Sequence, residues 1–210
     1  MAQLQPQVQG ETYAPISVPN NEKTKQIALQ RVRIEIPQEK VIGEITDGLI
    51  HTKMSDIKWN IGTIDSSGGG LSNTFYNELN RMGYNVDTPQ HDLFEKKTLN
   101  SELIAGALIK DIRYDIHIQP EMFNKYTGSA TATLTVEWQV YSATEKKVVY
   151  THQVTGYAHV PLSGMGPQDI LNGAGKSGAF TLAFTDAVRG LMADPAFHQL
   201  VSGGADRSAQ

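Results

Sequence analysis

The stretch ATATLTVEWQV, residues 130–140, alternates apolar and polar side chains without a break. Such a strict period of two is typical of a β-strand with one buried and one exposed face. The polar positions are mostly threonine, which suits an exposed pleated surface. This stretch therefore predicts a long strand in a sheet that has one face in water. Its predicted buried positions are Ala130, Ala132, Leu134, Val136, Trp138 and Val140.

The same alternation is present on both sides of this stretch, over residues 108–118 and 148–154. Three consecutive strands of this kind are typical of an antiparallel meander. Lys110 is the one polar interruption on the apolar face of the first strand. That face is predicted to hold Leu108, Ile112, Tyr114, Ile116 and Ile118, and the polar face Asp111, Arg113, Asp115 and His117. The last strand is predicted from Val148, Tyr150, His152 and Val154, after a turn at residues 142–146.

Two further strands are predicted near the N-terminus. Residues 26–36 have period two with a slip of one residue between Leu29 and Val32, and Pro37 ends the pattern. Residues 41–50 predict a weaker strand that is interrupted by two glycines. Residues 84–86 predict a short strand.

Helices are indicated by apolar residues at spacings of three and four. Leu71, Phe75, Leu79 and Met82 form one such stripe after a glycine-rich turn at residues 66–70, and Gly83 is a typical helix stop. A second helix is predicted from about Ser177, after a Gly/Pro-rich loop over residues 161–175. Asp194 and Pro195 predict the N-cap and first position of a last short helix. The elements together predict an α+β fold, a largely antiparallel sheet with helices packed on its apolar face.

The length of 210 residues fits one domain of ordinary size. Residues 1–24 are rich in glutamine and proline and bury little apolar surface, so they are predicted to be a leader that is disordered or ordered by a partner. The single domain is predicted to span residues 25–202. Residues 203–210 are predicted to form a flexible tail.

Composition excludes several classes of function. The net charge is −4 and the 18 lysines and arginines are scattered, which argues against nucleic-acid binding. The absence of cysteine excludes disulfides, thiolate catalysis and cysteine-type zinc sites. The longest apolar run, residues 104–109, is far too short to span a membrane. The first ten residues lack an apolar core, so no signal peptide is predicted in the chain as given.

Motifs that carry chemistry are incomplete. GAGKS at residues 173–177 resembles a phosphate-binding loop, but Ile170 replaces its first glycine. Asp115 and His117 share a polar strand face, and such a pair can orient an imidazole for acid–base catalysis. No nucleophile motif accompanies them. No catalytic residue, cofactor or metal is therefore predicted.

Several segments resemble a bacterial envelope domain. They are EWQVY at residues 137–141, KVVY at 147–150, TGY at 155–157, and the closing stretch from Ala179 to Phe197. The pattern resembles the non-catalytic N-terminal segment that precedes trypsin-like peptidase domains in some envelope proteins. Its layout is also similar to small periplasmic lipoprotein domains of the curli-transporter and TolB N-terminal kind. The resemblance covers residues 27–201 and implies an exported domain that docks onto envelope machinery, in the periplasm or at the outer membrane. Within the 210 residues given, neither a peptidase domain nor a lipobox cysteine is predicted.

The leading hypothesis is a non-enzymatic envelope protein that acts through protein–protein contacts in an outer-membrane or periplasmic assembly such as a secretion system. Its partners would be other envelope proteins or further copies of the chain. A small-ligand binding module for cell-wall or lipid fragments, with a pocket between the sheet and the first helix, is the alternative. A hydrolase based on Asp115 and His117 is a third hypothesis. The predicted partner-binding residues are Gly68, Gly69, Gly70, Pro161, Gly164 and Gly166.

Overall fold

The computed structural model describes residues 12–19, 23–60, 68–87 and 101–202. These ranges contain six strands and four α-helices. The six strands are β1 Ile27–Ile34, β2 Val41–Asp47, β3 Thr52–Lys58, β4 Leu103–Pro120, β5 Tyr126–Ser142 and β6 Lys147–Gly164. The four helices are α1 Gly68–Arg81, α2 Pro167–Lys176, α3 Ala179–Ala193 and α4 Pro195–Val201. No helix in the described ranges is long and apolar enough to cross a bilayer.

All six strands belong to one sheet, in the order β3-β2-β4-β5-β6. β1 also pairs with β4, so that β1 and β2 follow each other along the same edge of that strand. These two pairings are parallel, whereas β2–β3, β4–β5 and β5–β6 are antiparallel. The prediction of an α+β fold with a largely antiparallel sheet is confirmed.

Alternate side chains of the central strands are buried and make up one side of the sheet, here called the inner face. On β5 these are the six positions predicted from the sequence, each fully buried. Trp138 packs between Phe75 of α1 and Phe184 of α3, with ring centroids 5.8 Å apart in both pairs. The Tyr114 hydroxyl on β4 donates a hydrogen bond of 2.8 Å to the Ala174 carbonyl on α2. Side chains that alternate with the inner face form the open face.

Register irregularities in three strands decide which side chains reach which face. The one between Leu29 and Arg31 confirms the predicted slip in β1. A second lies between Ile109 and Asp111, and it turns Leu108 to the open face. A third, opposite Val140 and Tyr141, turns Val148 to the open face, whereas Tyr150 stays paired with Val140. The predictions that grouped Leu108 with Ile112, and Val148 with Tyr150, were wrong because one extra residue reverses the alternation.

The predicted loop at residues 161–175 is instead the end of β6 followed by helix α2. Pro161 is tolerated in β6 because this strand is at the edge of the sheet. Pro167 occupies the first turn of α2, where the missing N–H costs nothing. The glycines at 68–70 likewise form the first turn of α1 instead of a turn before it. The predicted cap is confirmed, since the Asp194 carboxylate accepts a 2.8 Å hydrogen bond from the Ala196 N–H.

Residues 12–19, within the predicted leader, lie against the helices. The Ile16 N–H donates to the Met192 carbonyl at 3.0 Å, and the Val18 N–H donates to the Met82 carbonyl at 2.8 Å. The fully buried Asp186 carboxylate on α3 accepts the N–H groups of Thr12 and Tyr157. This part of the predicted leader therefore packs on the domain and does not extend away from it.

Two glycines in the sheet are expected to respond oppositely to substitution by alanine. A Cβ at Gly156 on β6 would collide with the Ala183 carbonyl oxygen and the Ala187 nitrogen of α3, whereas a Cβ at Gly106 on β4 meets nothing within 4 Å. We expect Gly156→Ala to lower the free energy of unfolding by about 1–3 kcal/mol, the usual cost of overpacking, and Gly106→Ala to leave it unchanged or slightly higher. Urea unfolding of both variants measures this. Equal midpoints for the two would contradict the close approach of α3 to β6.

Candidate functional site

The open face carries a shallow groove of about 490 Å³ at the β1 end of the sheet, here called the Gly106 groove. Its lining residues come from four adjacent strands, β1, β4, β5 and β6. They are Gln30, Arg31, Arg33, Ile104, Gly106, Ala107, Leu108, Glu137, Gln139, Tyr141 and Val148. The groove volume lies within the range of about 300–1,000 Å³ that is usual for ligand sites.

Strand register arranges the lining residues in three rows across the sheet. The first row joins Ile104 to Tyr141 and Val148 and is apolar. In the second row Gly106 lies between Arg31 and Gln139, and in the third Leu108 lies between Arg33 and Glu137. Because Gly106 has no side chain and open space above it, the middle row is the floor of the groove.

The two sides of the groove differ in charge. On the β5 side, the Glu137 carboxylate accepts hydrogen bonds from Gln139 at 2.7 Å and from Lys110 at 3.2 Å. These two bonds and the Lys110 charge hold the pKa of Glu137 below its usual value, so the carboxylate is ionised and paired. On the β1 side, neither Arg31 nor Arg33 has an ion-pair partner within the described part of the chain. The arrangement can receive a negatively charged group beside an apolar one.

The sequence patterns do not indicate Arg31, Arg33 and Gly106 as site residues, because simple alternation places the faces of β4 and β6 without their bulges. With Leu108 placed on the inner face, the open face of β4 had no apolar residues to suggest a groove. One signal was present: a glycine inside a strand often marks a site where something approaches the backbone closely. Gly106 interrupts the apolar run 104–109 in this way.

Asp115 and His117, the pair on which the third hypothesis of a hydrolase rests, have separate partners. The Asp115 carboxylate accepts hydrogen bonds from Arg113 Nε at 2.6 Å and from the Glu44 N–H at 3.1 Å. His117 Nδ1 lies 3.0 Å from the Thr46 hydroxyl, and its ring stacks on His51 at 4.1 Å between centroids. The carboxylate therefore does not orient the imidazole. Within the described ranges, no group of three or more His, Asp or Glu side chains is placed to hold a metal.

The predicted partner-binding residues lie in two separate places. Gly68, Gly69 and Gly70 are at the start of α1. Pro161 pairs with Ser129 inside the sheet, Gly164 ends β6, and Gly166 caps α2. A side chain at Gly164 would collide with the Asp169 side chain, which gives this glycine a packing role. None of these residues lines the Gly106 groove.

The predicted ligand pocket between the sheet and α1 is occupied by packed side chains. Leu71, Phe75 and Leu79 of α1 are buried to 1% exposure or less, and Phe75 contacts Trp138 directly. The expected location was wrong because these large apolar side chains fill the space over the inner face. A ligand site on this sheet belongs on the open face.

No family model matches this chain, and no curated protein matches it. Solved structures with a similar course of the chain include three that are 9–12% identical to it. A protein of Xanthomonas campestris assigned to DUF330 is 12% identical, with 94% of this chain and 99% of that one covered and a TM-score of 0.44. A minor lipoprotein from Acinetobacter baumannii is 9% identical, with coverages of 85% and 93% and a TM-score of 0.36. A PelC dodecamer subunit from Paraburkholderia phytofirmans is 9% identical, with coverages of 89% and 96% and a TM-score of 0.33. At these values the comparisons do not assign the chain to a family.

The stacked histidines predict a loss of stability in mild acid. Burial, and then the neighbouring His51, lower the pKa of His117 below its usual value, so folding favours the neutral ring. The stability that the neutral His117 ring contributes is fully present above the usual histidine pKa of about 6.5. It is lost as the pH falls from there through the lowered pKa of His117 in the folded protein. We expect the urea midpoint to fall less between about pH 7.5 and about pH 5 in His117→Gln than in the unmodified protein. An equal fall of the urea midpoint with pH in the two proteins would contradict this role of His117.

Proposed function

We propose that this chain is a non-enzymatic protein of the bacterial envelope that acts by binding other proteins, as a subunit of a periplasmic or outer-membrane assembly such as a secretion system. The single observation that carries the binding role is the Gly106 groove, which places apolar side chains beside two arginines that have no ion-pair partner among the described residues. The envelope location rests on the resemblance of the sequence to non-catalytic envelope domains.

In the proposed arrangement the four helices pack on the inner face, which leaves the open face for a partner. Helix contacts with Trp138, Tyr114 and Gly156 support this placement. The non-enzymatic part is supported by Asp115 and His117, whose polar atoms are engaged with different neighbours.

The chemistry of the groove favours a partner segment with an apolar side chain flanked by acidic ones. The apolar side chain would lie over Gly106, against Ile104 and Leu108. The acidic groups would pair with Arg31 and Arg33, whose planar guanidinium groups bind carboxylates through two hydrogen bonds. Glu137 on the opposite side disfavours a second carboxylate there, so the charge pattern fixes the direction of the segment.

A small anionic amphiphile, such as a lipid or cell-wall fragment, is the second candidate for the same groove. The observation that favours it is the volume of about 490 Å³, enough for a small ligand. In this case the acyl or other apolar portion would occupy the floor, and the charged end would reach the arginines.

Filling the groove is expected to weaken partner binding strongly without unfolding the protein. Gly106→Val places two methyl groups into the groove, and its Cβ meets nothing within 4 Å. Affinity purification from the envelope fraction of the native organism is expected to recover the same specific partner with the unmodified chain and with Thr133→Val. Recovery with Gly106→Val is expected to fall about tenfold or more, as for a central interface contact.

Thr133→Val is the matched control because Thr133 lies on the same open face of β5, outside the groove lining. A second variant, Arg31→Glu with Arg33→Glu, tests charge and is expected to weaken the same interaction, more strongly at low salt. Melting temperatures near that of the unmodified protein show that each variant is folded. An unchanged set of co-purified proteins across all variants would overturn the proposal.

The two candidates are separated by a thermal-shift measurement with dodecanoate as the probe. A ligand at 100 times its dissociation constant adds about 2.7 kcal/mol to stability. Stabilisation of the unmodified chain but not of Gly106→Val, together with no co-purified partner, would favour the amphiphile. Absence of stabilisation by dodecanoate, together with co-purification of a protein partner that is lost in Gly106→Val, would favour the protein–protein role.

A further inference from the structure

One end of the sheet carries five large apolar side chains that are almost fully exposed, here called the apolar tips. Their exposed fractions range from 69% to 89%, whereas the other large apolar side chains of the described residues are at most 58% exposed and most are buried. The apolar tips are Leu49, Ile50, Met122, Phe123 and Met165. Exposed apolar clusters of this kind mark contact sites for proteins or membranes.

Strand pairing brings the apolar tips to the same end, although they are far apart in sequence. Leu49 and Ile50 lie in the β2–β3 turn, which the Gly48 N–H joins to the Ile118 carbonyl near the end of β4. Met122 and Phe123 lie in the β4–β5 turn, beyond the pair Pro120–Tyr126. Met165 directly follows Gly164, the last residue of β6, and Gly164 pairs with Tyr126 of β5. Neighbouring strands are about 4.8 Å apart, so the three loops form a front about 14 Å wide from β2 to β6.

The opposite end of the sheet shows that loop tips in this protein need not be apolar. There the β5–β6 turn consists of Ala143, Thr144, Glu145 and Lys146, all exposed. Lys147, which follows, pairs with Glu145 at 2.9 Å. The two ends thus differ in polarity along the strand direction.

Phe123 is the clearest case of an apolar side chain that the fold itself does not require. It has φ +62°, in the left-handed region where glycine, asparagine or aspartate is favoured and a bulky residue is uncommon. It is also 89% exposed, so its ring gains little from packing within the chain. Both the backbone geometry and the exposure would be served better by a small polar residue.

We propose that the apolar tips insert into the surface of a phospholipid bilayer and orient the sheet upright on it. At roughly 100 Å² for each side chain, the tips would bury about 500 Å². This is less than the roughly 800 Å² that each partner contributes to a stable protein interface, and it is divided among three loops. A bilayer surface requires no shape complementarity, and its binding strength follows the apolar area that enters it. Glu121 and Lys125 flank the Phe123 loop with opposite charges, so the loop itself adds no net charge that would favour anionic lipid.

This inference is independent of the Gly106 groove, because the groove lies at the other end of β4. Loss of vesicle binding would leave the groove proposal untouched, and groove variants are expected to bind vesicles normally. The open face would then stand perpendicular to the bilayer and remain accessible to a partner.

Co-sedimentation of the full 210-residue chain with phosphatidylethanolamine–phosphatidylglycerol vesicles tests the inference. The variant carries Leu49→Ser, Ile50→Ser, Met122→Ser and Phe123→Asn, the last of which suits the left-handed backbone. We expect the unmodified chain to sediment with the vesicles. The variant is expected to bind them at least about tenfold more weakly. The matched control is Val41→Ser with Met54→Ser, which removes two exposed apolar residues of β2 and β3 outside the tips and is expected to bind as the unmodified chain does.

A second measurement places the contact. Phe123→Trp is expected to shift its tryptophan emission to shorter wavelength when vesicles are added, relative to the unmodified chain with its buried Trp59 and Trp138. Equal sedimentation of the tip variant and the control would overturn the inference, as would absence of binding by the unmodified chain. Light scattering that shows an oligomer dissociated by the tip variant alone would overturn it in favour of a second copy of the chain.

Discussion

The antiparallel pairing of β4 with β5 is the constraint on which the rest of the structure depends. It runs from Leu103–Ser142 to Pro120–Tyr126 with one irregularity, at Lys110. Three of the other four strands pair with it directly, β1 and β2 along one edge and β6 along the other, and β3 is joined through β2. Because side chains alternate across a strand, the position of that one extra residue decides the face of every side chain on the N-terminal half of β4.

The bulge at Lys110 has a direct chemical consequence. It keeps Leu103, Ala105, Ala107 and Ile109 in the core, where they continue the row formed by Ile112 and Tyr114. At the same time it puts Ile104, Gly106 and Leu108 on the open face. The register irregularities in β1 and β6 also turn side chains to the open face, and they bring Arg31 and Val148 to the groove. The groove is thus a product of register and not of any local motif.

Small residues have opposite roles on the two faces. On the inner face, Gly156 lets the backbone of α3 approach β6, and Gly128 lets Ile170 of α2 approach β5. On the open face, Gly106 leaves space that nothing in the described chain fills. The same residue type therefore marks a tight contact in one place and a vacancy in the other.

The sheet also has two chemically different ends, one with the charged β5–β6 turn and the other with the apolar tips. These features give the domain distinct surfaces for different contacts.

The sequence by itself determined most of the elements, though not β3 or α2, and the largely antiparallel sheet. The alternation over residues 130–140 fixed the buried face of β5, and the stripe from Leu71 to Leu79 fixed the buried side of α1. The Asp194 cap was also readable, because a carboxylate before Pro195 satisfies a helix N-terminus locally. These signals are local, and the interactions that produce them act within a few residues.

Only the tertiary structure decided the faces beyond the bulges, the helix in place of the 161–175 loop, and the candidate surfaces. A bulge is defined by how β4 pairs with β5, so Lys110 stands out in the sequence as a polar interruption but does not show there that it reverses the alternation. Glycine and proline in residues 161–175 predicted a loop by propensity, but burial of Ile170 and Ala174 against the sheet stabilises α2 there. The apolar tips and the Gly106 groove join residues from loops and strands that are more than one hundred positions apart. Their proximity follows from strand order, which composition and periodicity do not specify.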